Sequence, residues 1–200
     1  MARAAALALA VGTAALLLGC VSDEQKRAAI NEVNDEFRID YERILAEQGT
    51  RIYRANTDEA FAAMRSALAR LGMQVGDQSP RMGYLNVFAA APRPLSIEEW
   101  RAAATKDLPK FRAILEKHIG FIAWFIPFEP EGLEIVINVT TLKVQSGAEL
   151  ALTMRMREVA PPKSGMPRRE YAPPTAVRTG LDKIWKEFEA ELRSVQNRTR

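Results

Sequence analysis

The fold is decided by the stretch LEIVINVTTLKVQSGAELALTMRMREV, residues 133–159. Apolar residues alternate with polar ones on both sides of a short Gln-Ser-Gly sequence, which is typical of two strands that each bury one face. The pattern predicts an antiparallel hairpin, and a turn at Ser146-Gly147 would set Ile137 opposite Met156, Val139 opposite Met154 and Thr141 opposite Leu152. These side chains then share one face, which we expect to be the core.

The register of this hairpin follows from the same alternation. A slip of one residue would pair Ile137 and Val139 with Arg155 and Thr153, which would mix the core face with the solvent face. The turn at Ser146-Gly147, or its four-residue equivalent at 145–148, is therefore favoured. The methionines at positions 154 and 156 are accordingly predicted to be core residues and not metal ligands.

Upstream of the hairpin, turn and capping residues predict a strand, a helix and two more strands. Residues 51–54 form a short strand, and residues 56–59 (Asn-Thr-Asp-Glu) supply the capping residues of a helix that Gly72 ends. A strand begins at Met73, and a turn-rich connection at 77–83 leads into a strand at 84–88. The apolar face of the helix consists of Phe61, Met64, Leu68 and Leu71.

Two further helices are predicted on either side of the hairpin. Residues 96–99 (Ser-Ile-Glu-Glu) form a capping box, and Pro109 predicts a restart of that helix near Asp107, because proline is tolerated early in a helix. Five prolines exclude 160–174 from a sheet and predict a semi-rigid loop. Its basic residues Lys163, Arg168 and Arg169 could contact anionic headgroups or a partner groove, and a solvated loop is the favoured interpretation. A long C-terminal helix then carries apolar residues at helical spacing: Val177, Leu181, Ile184, Phe188, Leu192 and Val195.

The N-terminal part of the mature chain predicts one amphipathic helix. No proline or glycine occurs from position 23 to 48, and Gly49 is expected to end the helix. Its apolar stripe could pack on its own domain or form a short coiled coil, and the first is favoured because barely two heptads are present. The stripe consists of Ile30, Val33, Phe37, Tyr41 and Ile44.

Together these elements predict an α+β fold, with an antiparallel sheet of about five to six strands and helices on one face, preceded by the amphipathic helix. The expected organisation is a lipidated N-terminus with the helix (20–49), a single domain at 50–196 containing the 160–174 loop, and a tail at 197–200. In element order from 51 to 195, the chain resembles the helix-grip domains of the lipoprotein C component of the bacterial β-barrel assembly machinery and of several envelope lipoproteins. The resemblance implies a fold, and it carries no binding residue.

The first twenty residues are typical of an exported bacterial lipoprotein. Arg3 precedes an apolar run at 4–18, which is too short to be a membrane span and reads as the apolar region of a signal peptide. Residues 17–20 (Leu-Leu-Gly-Cys) resemble the bacterial lipobox, which implies cleavage after residue 19 and lipidation of Cys20. Val21 stands where an aspartate would resemble the inner-membrane retention signal. We therefore expect an outer-membrane lipoprotein that faces the periplasm.

An uncharged run at 119–128 (IGFIAWFIPF) is the most unusual segment of the mature chain. One interpretation is a buried strand or a wall of the core, because ten residues are too few to span a bilayer as a helix. The other is an apolar ligand groove, or a patch that docks on a membrane or a partner. The candidate contact residues are Phe121, Trp124, Phe125 and Phe128 of this segment and Tyr41 of the N-terminal helix.

Charge and composition exclude several classes of function. The chain has a formal net charge of +3, and removal of residues 1–19 leaves +2, which gives no electrostatic reason to expect nucleic-acid binding. Cys20 is the one cysteine, so neither a disulfide nor a cysteine metal site is available. We expect no metal and no cofactor.

The search for catalytic motifs favours a protein that is not an enzyme. No phosphate-binding loop, nucleophile elbow or zinc-binding helix motif occurs, and the one histidine, His118, follows charged residues at a helix end. Glu129, Glu131 and Glu134 cluster in a turn, where glutamates normally point into water. The sequence favours a membrane-anchored binding or scaffold module that contacts an envelope protein, and the alternative is a carrier or sensor of an apolar ligand.

Overall fold

The computed structural model describes residues 21–130, 132–160, 165–167 and 169–198. Within these residues the chain forms four α-helices, five β-strands and two 3-10 turns. In chain order the regular elements are α1 (Asp23–Gln48), β1 (Thr50–Tyr53), α2 (Thr57–Arg70), β2 (Gln74–Ser79), β3 (Tyr84–Ala90), α3 (Ile97–Ile119), β4 (Leu133–Val144), β5 (Gly147–Glu158) and α4 (Pro174–Arg198). The 3-10 turns are Pro80–Met82 and Gly120–Phe125.

The strands form one open antiparallel sheet in the order β1-β5-β4-β3-β2. Alternate side chains of β3, β4 and β5 are buried beneath the helices, and those between them are half-buried or exposed. The predicted α+β class, with helices on one face of an antiparallel sheet, is confirmed. We call the side of the sheet that the helices leave uncovered the open sheet face. A row of hydrogen-bonded polar side chains crosses three strands on this face: the Asn86 amide donates to Asn138, and the Asn138 amide donates to Thr153.

The predicted partners within the hairpin were wrong by two residues. Val144 pairs with Gly147, so Gln145 and Ser146 form the loop, and Ile137 lies opposite Met154. Val139 lies opposite Leu152 and Thr141 opposite Leu150. The core face is unchanged, because side chains alternate with a period of two. Gly147 therefore belongs to β5 and not to the turn. This position requires glycine, because a Cβ there would lie 2.1 Å from the carbonyl oxygen of Tyr53 in β1.

Three other element boundaries differ from the prediction. β2 continues to Ser79, past the expected start of the turn at 77, and a bulge between Val75 and Asp77 absorbs the extra residue. Helix α3 runs through Pro109 without a restart. Pro109 and Thr105 are both exposed, so water can hydrogen-bond the Thr105 carbonyl that the missing proline N–H would have paired. Helix α4 extends to Arg198, so the predicted tail begins inside a helix.

Helix α1 packs on its own domain, which confirms the favoured interpretation of its stripe. All five predicted stripe residues are buried. The helix lies antiparallel to α3, because Asp40 near its C-terminal end pairs with Lys110 at 2.9 Å, and Glu32 nearer its N-terminal end contacts Lys117 and His118. At the far end, Trp185 of α4 donates to the Gln48 carbonyl.

The predicted caps and core faces of the other helices are also confirmed. Asn56 with Glu59, and Ser96 with Glu99, form capping boxes at the starts of α2 and α3. The apolar face of α2 is buried, as are five of the six predicted apolar residues of α4, and Val195 is partly buried against the same core. In the described part of the 160–174 segment there is no strand, as predicted, although Met166 and Ala172 are buried.

Candidate functional site

The uncharged segment forms a 3-10 turn, so the predicted strand is absent from it. Helix α3 ends at Gly120, which adopts φ 59° and ψ −146°, a conformation that residues with a side chain rarely adopt. The turn Gly120–Phe125 follows. Ile122, Ala123 and Ile126 are buried, whereas Phe121, Trp124 and Phe125 are 56%, 55% and 71% exposed. The segment is therefore part core and part surface, and we call the three exposed residues the aromatic face.

Contacts with α3 hold the aromatic face in place. The Trp124 indole N–H donates to the Glu116 carboxylate at 3.3 Å, and the Arg112 guanidinium lies 4.8 Å from the centre of the Trp124 ring. Phe121 and Phe125 meet edge to face, with ring centres 6.5 Å apart. A cation over an aromatic face and an edge-to-face ring pair are both favourable geometries. Trp124 is thus held against α3, whereas Phe121 and Phe125 contact each other.

An open groove of about 390 Å³ lies beside the aromatic face. One wall is the side of α3 that carries Ala104, Leu108 and Arg112, and the other is formed by residues 124–129. Arg101 at the rim pairs with Glu129 at 3.5 Å. The groove combines aromatic rings with charged side chains, which is a composition typical of a surface that binds a partner or an apolar group.

Phe128 and Tyr41, two of the five predicted contact residues, do not belong to the aromatic face. Phe128 is 9% exposed and stacks on Phe111 at 4.3 Å, so it contributes only the floor of the groove. Tyr41 is 5% exposed and packs 5.5 Å from Tyr171, and burial raises the pKa of its phenol. Both are therefore core residues, and Tyr41 cannot contact a partner without unfolding α1.

Two arginines outside the five predicted contact residues support the aromatic residues. Arg112 lies under Trp124, as described above, and Arg169 places its guanidinium 5.0 Å from the Phe128 ring while donating to the Glu129 carbonyl at 2.9 Å. Burial lowers the pKa of Arg169 to about 10, so it remains a cation at neutral pH. Arg112 stands twelve residues before Trp124, a spacing with no periodic signal, and Arg169 comes from a proline-rich loop whose basic residues were expected to face solvent, headgroups or a partner and not the core.

Of the residues considered as catalytic candidates, Glu129 and Glu134 are engaged in ion pairs and His118 contacts a carboxylate. The His118 ring lies 2.7 Å from the Glu32 carboxylate, which also accepts a hydrogen bond from Lys117. The hydrogen bond from Lys117 is the main cause of the lowered pKa of Glu32. Glu129 pairs with Arg101 and Glu134 with Arg157. These two glutamates therefore have separate partners, and Glu131 lies outside the described residues. In the part of the chain that the structure describes, no group of three potential ligands could hold a metal.

The predicted signal peptide and the lipidated Cys20 lie outside the described residues, as do Lys163 and Arg168 of the proline-rich loop. Among the helices at 21–198 that the structure describes, none combines the length and the apolar character needed to cross a bilayer. No family model matches this chain, and neither a curated protein nor a solved structure is significantly similar to it.

Proposed function

We propose that this protein is a lipid-anchored, non-catalytic binding module of the bacterial cell envelope, held by Cys20 in the outer membrane and facing the periplasm. The observation that carries the proposal is the aromatic face. Phenylalanine and tryptophan side chains are costly to leave in water, yet here three of them are exposed on one turn, and Arg112 and Glu116 hold Trp124 in place. Exposed aromatic residues, tryptophan above all, are among those that dominate binding energies.

The partner in this proposal is an envelope protein, and the module acts as a scaffold that keeps this protein near the membrane. Two surfaces in the described part of the chain are available for such contacts: the aromatic face and the open sheet face. The second combines polar residues such as Asn138 with half-buried apolar residues such as Phe88 and Val136. This mixture is close to the average composition of interfaces between proteins that also exist separately.

In-cell photocrosslinking from the full-length lipidated chain tests the proposal. The crosslinking residue is placed at Phe125 of the aromatic face, at Thr140 of the open sheet face, and at Ala62, an exposed position on α2 that serves as the control. We expect one envelope protein to be captured from Phe125 or Thr140 and not from Ala62, and to bind the purified module. The proposal would be overturned if the purified protein turned over an envelope substrate and lost that activity in Glu129→Gln or His118→Gln.

The groove supports a second candidate, a carrier or sensor of an apolar ligand. Its volume of about 390 Å³ falls at the lower end of small-molecule sites, and aromatic side chains line it. Native mass spectrometry of the protein extracted from membranes would detect a bound lipid. A stoichiometric ligand that disappears in Thr105→Trp, which fills the groove from α3, would favour this candidate, whereas a ligand-free protein would exclude it.

A further inference from the structure

The groove beside the aromatic face carries an excess of positive charge. Arg101 and Arg112 both line it, and Glu129 is the one carboxylate among its described lining residues. That carboxylate already has a partner, because Arg101 lies 3.5 Å from it. Arg169 adds a third cation, since its guanidinium lies 5.0 Å from the Phe128 ring at the floor of the groove. The residues that line the groove therefore do not neutralise its charge.

Arg112 is the cation of the groove that lacks an acceptor. Its half-buried guanidinium lies 4.8 Å from the centre of the Trp124 ring. To the described part of the chain its side chain makes neither an ion pair nor a hydrogen bond, and its Nε–H is buried without an acceptor. Glu116, one turn further along α3, accepts from the Trp124 indole instead. A donor without an acceptor costs free energy, which an incoming anion would recover.

The surroundings of Arg112 suit a carboxylate that is attached to an apolar group. A guanidinium packed on an aromatic ring still offers a planar fork of N–H groups, which matches the two oxygens of a carboxylate. Leu108 stands one helical turn before Arg112 on the same side of α3, and Phe128 forms the floor beside it. An occupant can therefore place a negative charge on Arg112 and an apolar side chain against Leu108 and Phe128.

We propose that the groove binds a short segment of the partner protein in which a glutamate or aspartate adjoins an apolar residue, with the carboxylate held by Arg112. This inference rests on the proposed binding function and adds the chemistry of the segment that is bound. The groove is open, so it can cover one side of a peptide but cannot enclose most of an acyl chain, as small-molecule sites do. Tryptophan and arginine, which meet at Trp124, are the residue types most enriched among those that dominate protein contacts.

Tryptophan fluorescence measures this binding without an added label. The chain has three tryptophans, and Trp100 and Trp185 are fully buried, so Trp124 is the one that a ligand in solution can reach. The probe is a hexapeptide of alternating glutamate and leucine, blocked at both ends and titrated into the full chain in uncharged detergent. Matched peptides carry glutamine or lysine in place of glutamate. We expect the glutamate peptide to change the Trp124 emission and to bind about tenfold or more tightly than the glutamine peptide, and the lysine peptide not to bind.

Three variants assign the preference to the groove. Arg112→Gln should abolish the preference for glutamate over glutamine, and Arg112→Lys should retain part of it because the charge remains. Arg65→Gln is the matched control, since it removes the same charge from an exposed position on α2 outside the groove and should leave the preference unchanged. Thr105→Glu adds a negative charge at an exposed position that lines the groove, so it should fold even if Arg112→Gln does not, and it should favour the lysine peptide.

The outcomes separate this inference from the proposed function. Equal binding of the glutamate and glutamine peptides, or equal losses in Arg112→Gln and Arg65→Gln, would overturn the inference, and capture of an envelope protein from Phe125 in cells would still leave the proposed function standing. Binding of dodecanoate without binding of the glutamate peptide would also overturn it, because the groove would then hold a small amphiphilic anion. Absence of both peptide binding and protein capture would overturn the inference and the proposed function together.

Discussion

Phe125 and Phe128 lie three residues apart and have opposite surroundings. Phe125 is exposed on the aromatic face, whereas Phe128 stacks on Phe111 and also lies 6.1 Å from Phe37 of α1. Both belong to the same uncharged run, so composition does not separate them. Their roles differ because the partners of Phe128 come from residues far away in the chain.

This difference predicts unequal effects on stability. Phe128→Ala should lower the free energy of unfolding by about 3–5 kcal/mol, because it removes a ring enclosed by two others and leaves a cavity. Phe125→Ala should change it by no more than about 0.5 kcal/mol. Urea unfolding of both variants, followed by circular dichroism, measures the difference, and equal losses would show that the aromatic face is part of the core.

Tyr53 makes a pH-dependent contribution. Its hydroxyl donates to Glu189 at 2.9 Å, its ring meets Phe188 edge to face, and burial raises the pKa of its phenol from 10.0 to about 12. A raised pKa means that the stability from the protonated phenol is fully present below pH 10 and is lost as the pH rises towards about 12. Unfolding measurements from pH 9 upwards should therefore show a steeper loss in the native chain than in Tyr53→Phe. Parallel pH profiles would contradict this assignment.

At the scale of elements, much of the fold could be predicted because the deciding signals are local. The alternation in β4 and β5, the capping boxes of α2 and α3 and the stripe of α1 each depend on residues within one element. The exact hairpin partners could not be predicted, since registers two residues apart bury the same face. Gly147 could not be placed from the sequence for a similar reason, since the feature that requires glycine there is the approach of the Tyr53 carbonyl from β1.

Gly147→Ala should therefore destabilise the β1–β5 edge of the sheet. The new Cβ would lie 2.1 Å from the Tyr53 carbonyl oxygen, and the backbone of Gly147 at φ 140° is strained for alanine. We expect a loss of more than about 1 kcal/mol and faster hydrogen exchange in β1. The matched control is Gly165→Ala, which has a positive φ of 64° but no atom within 4 Å of the added Cβ. If both variants lost the same stability, strain and not the close approach of β1 would be responsible.

The candidate site was predictable only in part, again for a physical reason. The uncharged run identified the segment, and three of its four named aromatic residues form the aromatic face. The 3-10 turn could not be predicted, because ten apolar residues fit a buried strand as well as a turn that is half exposed. Which residues of the run are exposed depends on how α3 ends at Gly120. It also depends on the rings of Phe37 and Phe111, which pack against Phe128, and no local pattern in the sequence encodes these contacts.

At the scale of the whole molecule, the helices and the sheet divide the surface into regions with different proposed roles. The aromatic face lies beside α3, next to Glu116 and Arg112, and α1 begins beyond the end of α3. The open sheet face carries the half-buried polar row and remains available to an envelope protein. The lipid anchor that we propose at Cys20 would hold the whole module at the membrane.

The most direct measurement is therefore the intact mass of the protein extracted from bacterial membranes, with fragmentation of its N-terminal peptide. The expected mature chain begins at Cys20, lacks residues 1–19 and carries a diacylglyceryl group on the thiol, and Cys20→Ala should abolish both the cleavage and the lipid. A chain that retains residues 1–19, or one that begins at an unmodified Cys20, would contradict the anchoring and with it the proposed role at the membrane.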